Sequence, residues 1–186
     1  MRAVFLDRDG TINVEKNYIK DPSDIELIPG SSEAISLFNR AGYMVFGIST
    51  QSGVARGYFS VDDVIAVNRR VIELAAVGGG EIKEILFCPH HLDGTVIEYS
   101  IKCECRKPGT GMIRNATEKY SLKFTDIIVI GDKACDIGVG KNINAKTVLV
   151  STGFGSEEYK ILQSTRDMAP DLFAKDLLDA AKKLLG

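Results

Sequence analysis

Tryptophan is absent from the 186 residues, histidine occurs twice, and neither sign of charge prevails: 23 Lys and Arg stand against 25 Asp and Glu, a formal net charge of −2. The basic residues are scattered rather than run together, which argues against a nucleic-acid groove or a membrane-binding face. Long apolar runs are missing too. The first covers only Ala3 to Leu6, too short for a membrane span, and no positive start or cleavage site surrounds it. A cytoplasmic location, with neither membrane nor nucleic acid as partner, is therefore expected. There are four cysteines, and in a reducing compartment they are read as metal ligands or catalytic groups before disulfides. Cys88, Cys103 and Cys105 cluster; Cys135 stands apart and reads as an inert small residue.

What is present suits one domain over residues 1–186. With 45% hydrophobic residues, the chain can bury a core without staples. Short runs rich in Val, Ile and Phe recur at Ala3–Leu6, Tyr43–Ile48, Ile82–Phe87, Ile127–Ile130 and Lys146–Val150. Apolarity without polar alternation marks strands buried on both faces. Between them lie helical patterns. Ser60-Val61-Asp62-Asp63 forms a capping-box signature ahead of Val64, Val67, Val71, Leu74 and Ala75. Ile35, Phe38 and Ala41 mark a helix closed by Gly42. Met112 to Tyr120 and Leu177 to Leu184 supply two more. The alternation predicts an α/β fold with a mostly parallel sheet, whose ligands sit beyond the carboxyl ends of the strands.

Three of these runs end on reactive groups. The first ends at Asp7 and Asp9, the second at Ser49-Thr50-Gln51-Ser52-Gly53, and the fourth at Gly131-Asp132-Lys133, with Asp136 four residues after Asp132. Acidic and hydroxyl residues commonly begin loops and cap helices; three complementary sets in one chain suggest more. A parallel sheet would bring them to one edge. Asp7, Asp9 and Asp132 offer hard oxygen ligands suited to Mg²⁺, and a dication makes neighbouring carboxylates tolerable. Lys107, Lys133 and the Ser49 hydroxyl can meet phosphate oxygens. The set fits phosphoryl transfer, where positioning and charge stabilisation do most of the work.

Asp7-Arg8-Asp9-Gly10-Thr11, Ser49, Lys107 and Gly131-Asp132-x-x-x-Asp136 resemble, in order, the four motifs of the haloacid dehalogenase (HAD) superfamily of phosphatases. The resemblance implies a HAD-like, Rossmann-like three-layer sandwich. It makes Asp7 the nucleophile, forming an aspartyl-phosphate, and Asp9 the acid for the leaving group and then the base for water. Asp132 would complete the Mg²⁺ site, Ser49 and Lys107 would hold the phosphoryl group, and Asp136 would orient Lys107. The two carboxyls need opposite protonation states, so their surroundings must separate their pKa values. Neither the 39 residues between Asp9 and Ser49 nor the stretch from Ser49 to Lys107 leaves room for a separate cap domain.

A second signal is Cys88-Pro-His90 with Cys103-Glu-Cys105, twelve residues lying between the pairs. Three thiolates and an imidazole close a tetrahedral Zn²⁺ site with no open position, hence a structural one. The alternative is small thiols packed without a metal. His91 competes for the fourth place, but Cys88-x-His90 matches the spacing of the other pair. This small zinc-binding loop, residues 88–105, leads into Arg106-Lys107. It would place the lysine, while the fork of Arg106 clamps a second anionic group.

Taken together, D-R-D-G-T-I-N-V, Q-S-G-V-A-R-G, C-P-H-H, C-x-C-R-K-P and G-D-K are similar to the D-glycero-D-manno-heptose 1,7-bisphosphate 7-phosphatases over nearly the whole chain. That family removes the 7-phosphate in the synthesis of ADP- or GDP-heptose precursors for lipopolysaccharide and surface glycans. The resemblance implies a phosphorylated-sugar substrate contacted by Asp7 to Asp9 (Arg8 included), Glu15, Lys16, Asn17, Tyr18, Ser49, Thr50, Gln51, Ser52, Arg106, Lys107 and Lys133. A monomer is favoured over an oligomer. Two departures stand out: Ser49-Thr50 replaces the family's Thr-Asn, and Thr110 replaces a proline. Histidinol-phosphate phosphatases share the zinc loop and are the nearest alternative. A phospho-accepting receiver domain, the alternative from another class, needs neither a zinc loop nor the Gly-Thr turn after paired carboxylates.

Overall fold

The computed structural model describes residues 1–121 and 123–186. Six strands, β1 (Arg2–Asp7), β2 (Tyr43–Thr50), β3 (Glu84–Cys88), β4 (Asp126–Gly131), β5 (Lys146–Val150) and β6 (Leu172–Ala174), form one sheet in the order β3-β2-β1-β4-β5-β6. Every pairing is parallel. This is the doubly wound Rossmann order, whose topological switch point lies where the order reverses, between β1 and β4.

The unbroken apolarity of β1 is explained by its two buried faces. Val4 and Leu6 pack on one side with Ile35 and Phe38 of α1 (Ser31–Arg40), Val67 and Val71 of α2 (Val61–Val77) and Leu177 of α6 (Leu177–Leu185). Ala3 and Phe5 pack on the other with Met112 and Ile113 of α3 (Gly111–Lys119) and Val139 of α4 (Ala134–Asn142). Phe5 stacks on Phe46 at 5.1 Å. Helices on both faces make the three layers, and alternation along a strand assigns each side chain to one of them.

The expected caps form. Ser60 and Asp63 complete the capping box of α2, and Gly42, at φ 82°, follows the end of α1 in the left-handed region. Between β1 and β2 the chain makes only a 3-10 turn at Pro22–Asp24 and α1; between β2 and β3 it makes only α2. Among the described residues, no helix is long and apolar enough to cross a membrane.

The structure corrects the reading in several places. β3 starts at Glu84, two residues later than expected at Ile82, because its register is set by β2, with Phe46 opposite Glu84 and Thr50 opposite Cys88. That register puts Cys88 on the last strand position. α4, α5 (Gly155–Leu162) and β6 carry no clear sequence signal. α4 is buried at Asp136, Ile137, Gly138, Val139 and Gly140, so it has no polar face to set off an apolar stripe. α5 buries only Gly155 and Leu162, and β6 is a three-residue edge strand.

Candidate active site

At the switch point β1 ends on Asp7, and Asp132 follows β4 directly. Carboxylate oxygens of Asp7, Asp132 and Asp136 lie within 4.8 Å of one another. Lys107, in the segment leading into α3, reaches the same spot. Its Nζ donates to Asp7 Oδ1 at 2.6 Å, to Asp136 Oδ1 at 2.5 Å and to the Ile48 carbonyl at 3.2 Å. Burial opposes the Lys107 charge, but Asp136 and Asp7 outweigh it and hold the ammonium above the usual lysine range. Asp136 is fixed from its other side by the Lys133 backbone N–H, at the first turn of α4.

Asp132 is the least compensated of the three. Its Oδ2 accepts the Phe154 N–H at 2.9 Å, while Oδ1 is buried without a partner among the described residues. Burial first, and the Asp7 charge second, push its pKa up to about 8. Two glycines make room for it: a Cβ on Gly10 or Gly153 would stand 2.3 or 2.1 Å from Asp132 Oδ2, and both residues have positive φ. An orphaned buried oxygen beside a second carboxylate, where Lys107 bonds Asp7 and Asp136 and Lys133 acts on Asp132 through its charge alone, is the donor set of a hard divalent cation. Asp7 and Asp132 thus fit Mg²⁺.

Asp9 stands apart from this group. Its Oδ2 accepts Arg8 Nη2 at 2.7 Å and Gln51 Nε2 at 2.9 Å, and its Oδ1 accepts Asn13 Nδ2 at 3.0 Å. Burial would raise the Asp9 pKa, but Arg8 leads the opposing contributions and the carboxyl is held below the usual aspartate range. Gln51 Nε2 also donates to Ser49 Oγ at 2.7 Å, so one amide ties the hydroxyl of β2 to the carboxylate after β1.

An open cleft of about 330 Å³ lies above Asp9. Glu15, Asn17 and Tyr18 line it from the loop after β1, and Thr50, Gln51 and Ser52 from the end of β2. Arg106 and Lys133 add positive charge, and Lys133 Nζ lies 3.4 Å from Glu15 and 4.4 Å from the centre of the Phe154 ring. Two expected contacts are placed elsewhere. Arg8 is 1% exposed and points into the interior, because its guanidinium is taken up by Asp9 and Asn68. Lys16 turns toward the Asp24 carbonyl and Glu26, outside the cleft lining.

Phe154, Gly153 and Asn68 join the site without a sequence signal, since each acts through a fold neighbour far along the chain; Asn13 reaches Asp9 from four residues away. Cys135 also lines the cleft, where burial, then Asp136, pushes its thiol up to about 12, the state of an unreactive sulfur.

The second cluster assembles at the end of β3. Ligand atoms of Cys88, His90, Cys103 and Cys105 lie within 4.8 Å of one another. Cys88 Sγ is 3.4 Å from Cys103 Sγ and 2.9 Å from Cys105 Sγ, and His90 Nδ1 is 3.3 Å from Cys105 Sγ. His91 is turned away, its Nδ1 accepting the Asp93 N–H. The Cys88 sulfur, followed by burial, pushes the Cys105 thiol up, a tendency that a bound dication reverses. The cluster is tied to the cleft: the Gln51 N–H donates to the Cys88 carbonyl at 2.8 Å, and Arg106 Nη1 to the His90 carbonyl at 3.3 Å.

Comparison with known proteins follows the same lines. The HAD-hydrolase-like family matches over residues 104–180. A D-glycero-beta-D-manno-heptose-1,7-bisphosphate 7-phosphatase of Rhodopseudomonas palustris is 45% identical over 139 residues, 75% of this chain and 77% of that protein. A D-glycero-D-manno-heptose-1,7-bisphosphate 7-phosphatase of Thermosynechococcus vestitus is 39% identical across 97% of this chain and 93% of that one. The D,D-heptose 1,7-bisphosphate phosphatase of B. bronchiseptica, solved in complex with magnesium and phosphate, superposes with a TM-score of 0.83 at 30% identity, covering 100% of this chain and 98% of that chain.

Proposed function

Since the chain belongs to the heptose-1,7-bisphosphate 7-phosphatase family of HAD-like hydrolases, we propose that it removes the 7-phosphate of D-glycero-D-manno-heptose 1,7-bisphosphate in a Mg²⁺-dependent reaction. The observation that carries this reading is the meeting of Asp7, Lys107, Asp132 and Asp136 at one strand edge, below a cleft with cationic side chains.

Each residue has a task that its place supports. A carboxylate oxygen of Asp7 attacks the phosphorus of the 7-phosphate, forming the aspartyl-phosphate as the bond to the sugar oxygen breaks. Asp9 passes its proton to that oxygen. Water then attacks the phosphorus, Asp9 takes the water's proton, and the Asp7 carboxylate is freed as phosphate leaves. Lys107 and Ser49 hold phosphoryl oxygens, with Asp136 keeping the ammonium in position. Bound through Asp7 and Asp132, Mg²⁺ supplies positive charge for the carboxylates and the phosphoryl group. Arg106 and Lys133 lie where the phosphate that is not cleaved can be met, and Glu15, Asn17 and Tyr18 where the sugar can be. Arg8 holds the Asp9 carboxyl ionised in the substrate-free protein, so Asp9 must take up a proton, while still lying along the guanidinium, before the first step.

The Cys88, His90, Cys103 and Cys105 cluster is assigned to a structural Zn²⁺. Its hydrogen bonds to Gln51 and Arg106 support a role in setting the cleft from one side. Cytoplasmic synthesis of a nucleotide-activated heptose is the setting this activity fits.

The test is Mg²⁺-dependent phosphate release from the α and β anomers of heptose 1,7-bisphosphate and from histidinol phosphate. The β anomer, which the R. palustris relative carries in its name, is expected to give the highest kcat/KM. A wide margin in favour of histidinol phosphate overturns the substrate assignment.

A further inference from the structure

A buried arginine behind the cleft is not explained by stability. Arg8 is 1% exposed, and among the described residues its one carboxylate partner is Asp9. Taking a guanidinium out of water is costly, and well-packed apolar side chains in place of a buried ion pair are often neutral or stabilising. What Arg8 does to Asp9 is a better reason for its presence.

The guanidinium is held from two sides. Nε and Nη2 lie along the Asp9 carboxylate at 3.1 and 2.7 Å, while Nη1 donates to Asn68 Oδ1 at 2.8 Å. Asn68 belongs to α2, is 5% exposed and is not part of the cleft lining. Its Nδ2 lies 3.4 Å from the Ile85 carbonyl of β3, which turns the amide oxygen toward Arg8. A rigid planar fork bound at one end to the sheet has its plane fixed, and the carboxylate lying along the fork shares that plane. Asn13 and Gln51 add one neutral amide contact to each oxygen, and the Arg8 fork is the charged contact that spans both.

We propose that Asn68 is a positioning residue for proton transfer at Asp9, acting through Arg8. The proposal rests on the phosphatase reading above. A general acid has to present one oxygen to the leaving oxygen within hydrogen-bond reach, and a small misplacement costs rate without loss of binding. Asn68 sets that geometry from about as far away as one side chain can reach, with no contact to substrate.

The leaving group separates this role from a merely structural one. A sugar alkoxide needs the proton as the bond breaks; p-nitrophenolate does not. Asn68→Ala, Arg8→Lys and the double variant are compared with wild type on heptose 1,7-bisphosphate and p-nitrophenyl phosphate. Because Asp9 also serves the water step common to both substrates, the bond-breaking step is compared in single turnover: its rate on the sugar phosphate is expected to fall roughly 10- to 100-fold, and the burst release of p-nitrophenolate by less than about threefold. The double variant should be no slower than the slower single one, because the two residues form one relay. If Asn68→Ala gives no folded protein, Asn68→Ser with Arg8→Lys carries the same comparison. Equal losses on both substrates, no loss on either, or additive losses in the double variant overturn the proposal. A wild-type protein that cleaves neither substrate instead overturns the phosphatase reading on which it stands.

Discussion

The Lys107 ammonium lies 2.6 Å from Asp7 Oδ1, across 100 positions of sequence, with both side chains buried. It also bonds Asp136, so one cation ties the end of β1 to the start of α4. Removing it leaves two buried acids without their counter-charge. Lys107→Met is expected to lower kcat on the order of 10²- to 10³-fold. It is also expected to cost about 3–5 kcal/mol of stability, the penalty for breaking rather than replacing a buried pair. Steady-state phosphate release and urea unfolding check the two numbers separately.

Asp7→Asn removes the nucleophile while keeping the side chain's shape and its place at the end of β1. Turnover should be abolished and the unfolding midpoint should stay close to that of the wild type. Phosphate release near the wild-type rate would sink the assignment of Asp7.

Gly153 has φ 58°, and a Cβ there would stand 2.1 Å from Asp132 Oδ2. Gly153→Ala must push the carboxylate aside or move its own loop. Mg²⁺ binding, followed by calorimetry, is expected to weaken at least about tenfold, since one of two anionic ligands is displaced. Unchanged Mg²⁺ affinity in Asp132→Asn as well as in Gly153→Ala would show that Asp132 is not a ligand.

Burial and Asp7 raise Asp132 from 3.8 to about 8. In the metal-free protein the folded state therefore keeps a proton there that the unfolded chain has lost. The stability from this group is fully present below pH 3.8 and is lost as pH rises toward 8. Mg²⁺ has to displace that proton, so its apparent affinity should fall as pH drops below 8 and binding should release protons. Mg²⁺ should accordingly raise the melting temperature more at pH 8 than at pH 6. Asp132→Asn should abolish the difference; its persistence would place the proton on another group.

Zinc removal should act at a distance. The Cys88 carbonyl accepts the Gln51 N–H and the His90 carbonyl accepts Arg106, so a loosened loop disturbs two cleft residues that are not its ligands. Cys103→Ser is expected to lower the zinc content from one equivalent to a small fraction, as measured by metal analysis, and to lower kcat/KM and thermal stability together. Full activity in zinc-free protein would separate the loop from catalysis.

Much of this was written locally in the sequence. Continuous apolar runs marked β1, β2, β4 and β5, because a strand buried on both faces has no polar side to interrupt it. The capping box at Ser60 and Asp63 and the glycine at position 42 fixed two helix ends through backbone groups only a few residues away. The acids at the strand ends, and the paired Cys/His spacings, for the same reason marked the two clusters that the fold assembles: each motif lies within one short segment. Tertiary structure decided what no local window contains. It chose the strand order that puts β1 beside β4, and it turned Arg8 inward onto Asn68 while Lys16 turned away from the cleft. It also brought Gly153 and Phe154 against Asp132. Those choices depend on which charges can be paired and which buried surfaces can meet once distant segments pack, and that is a property of the folded whole rather than of any stretch of chain.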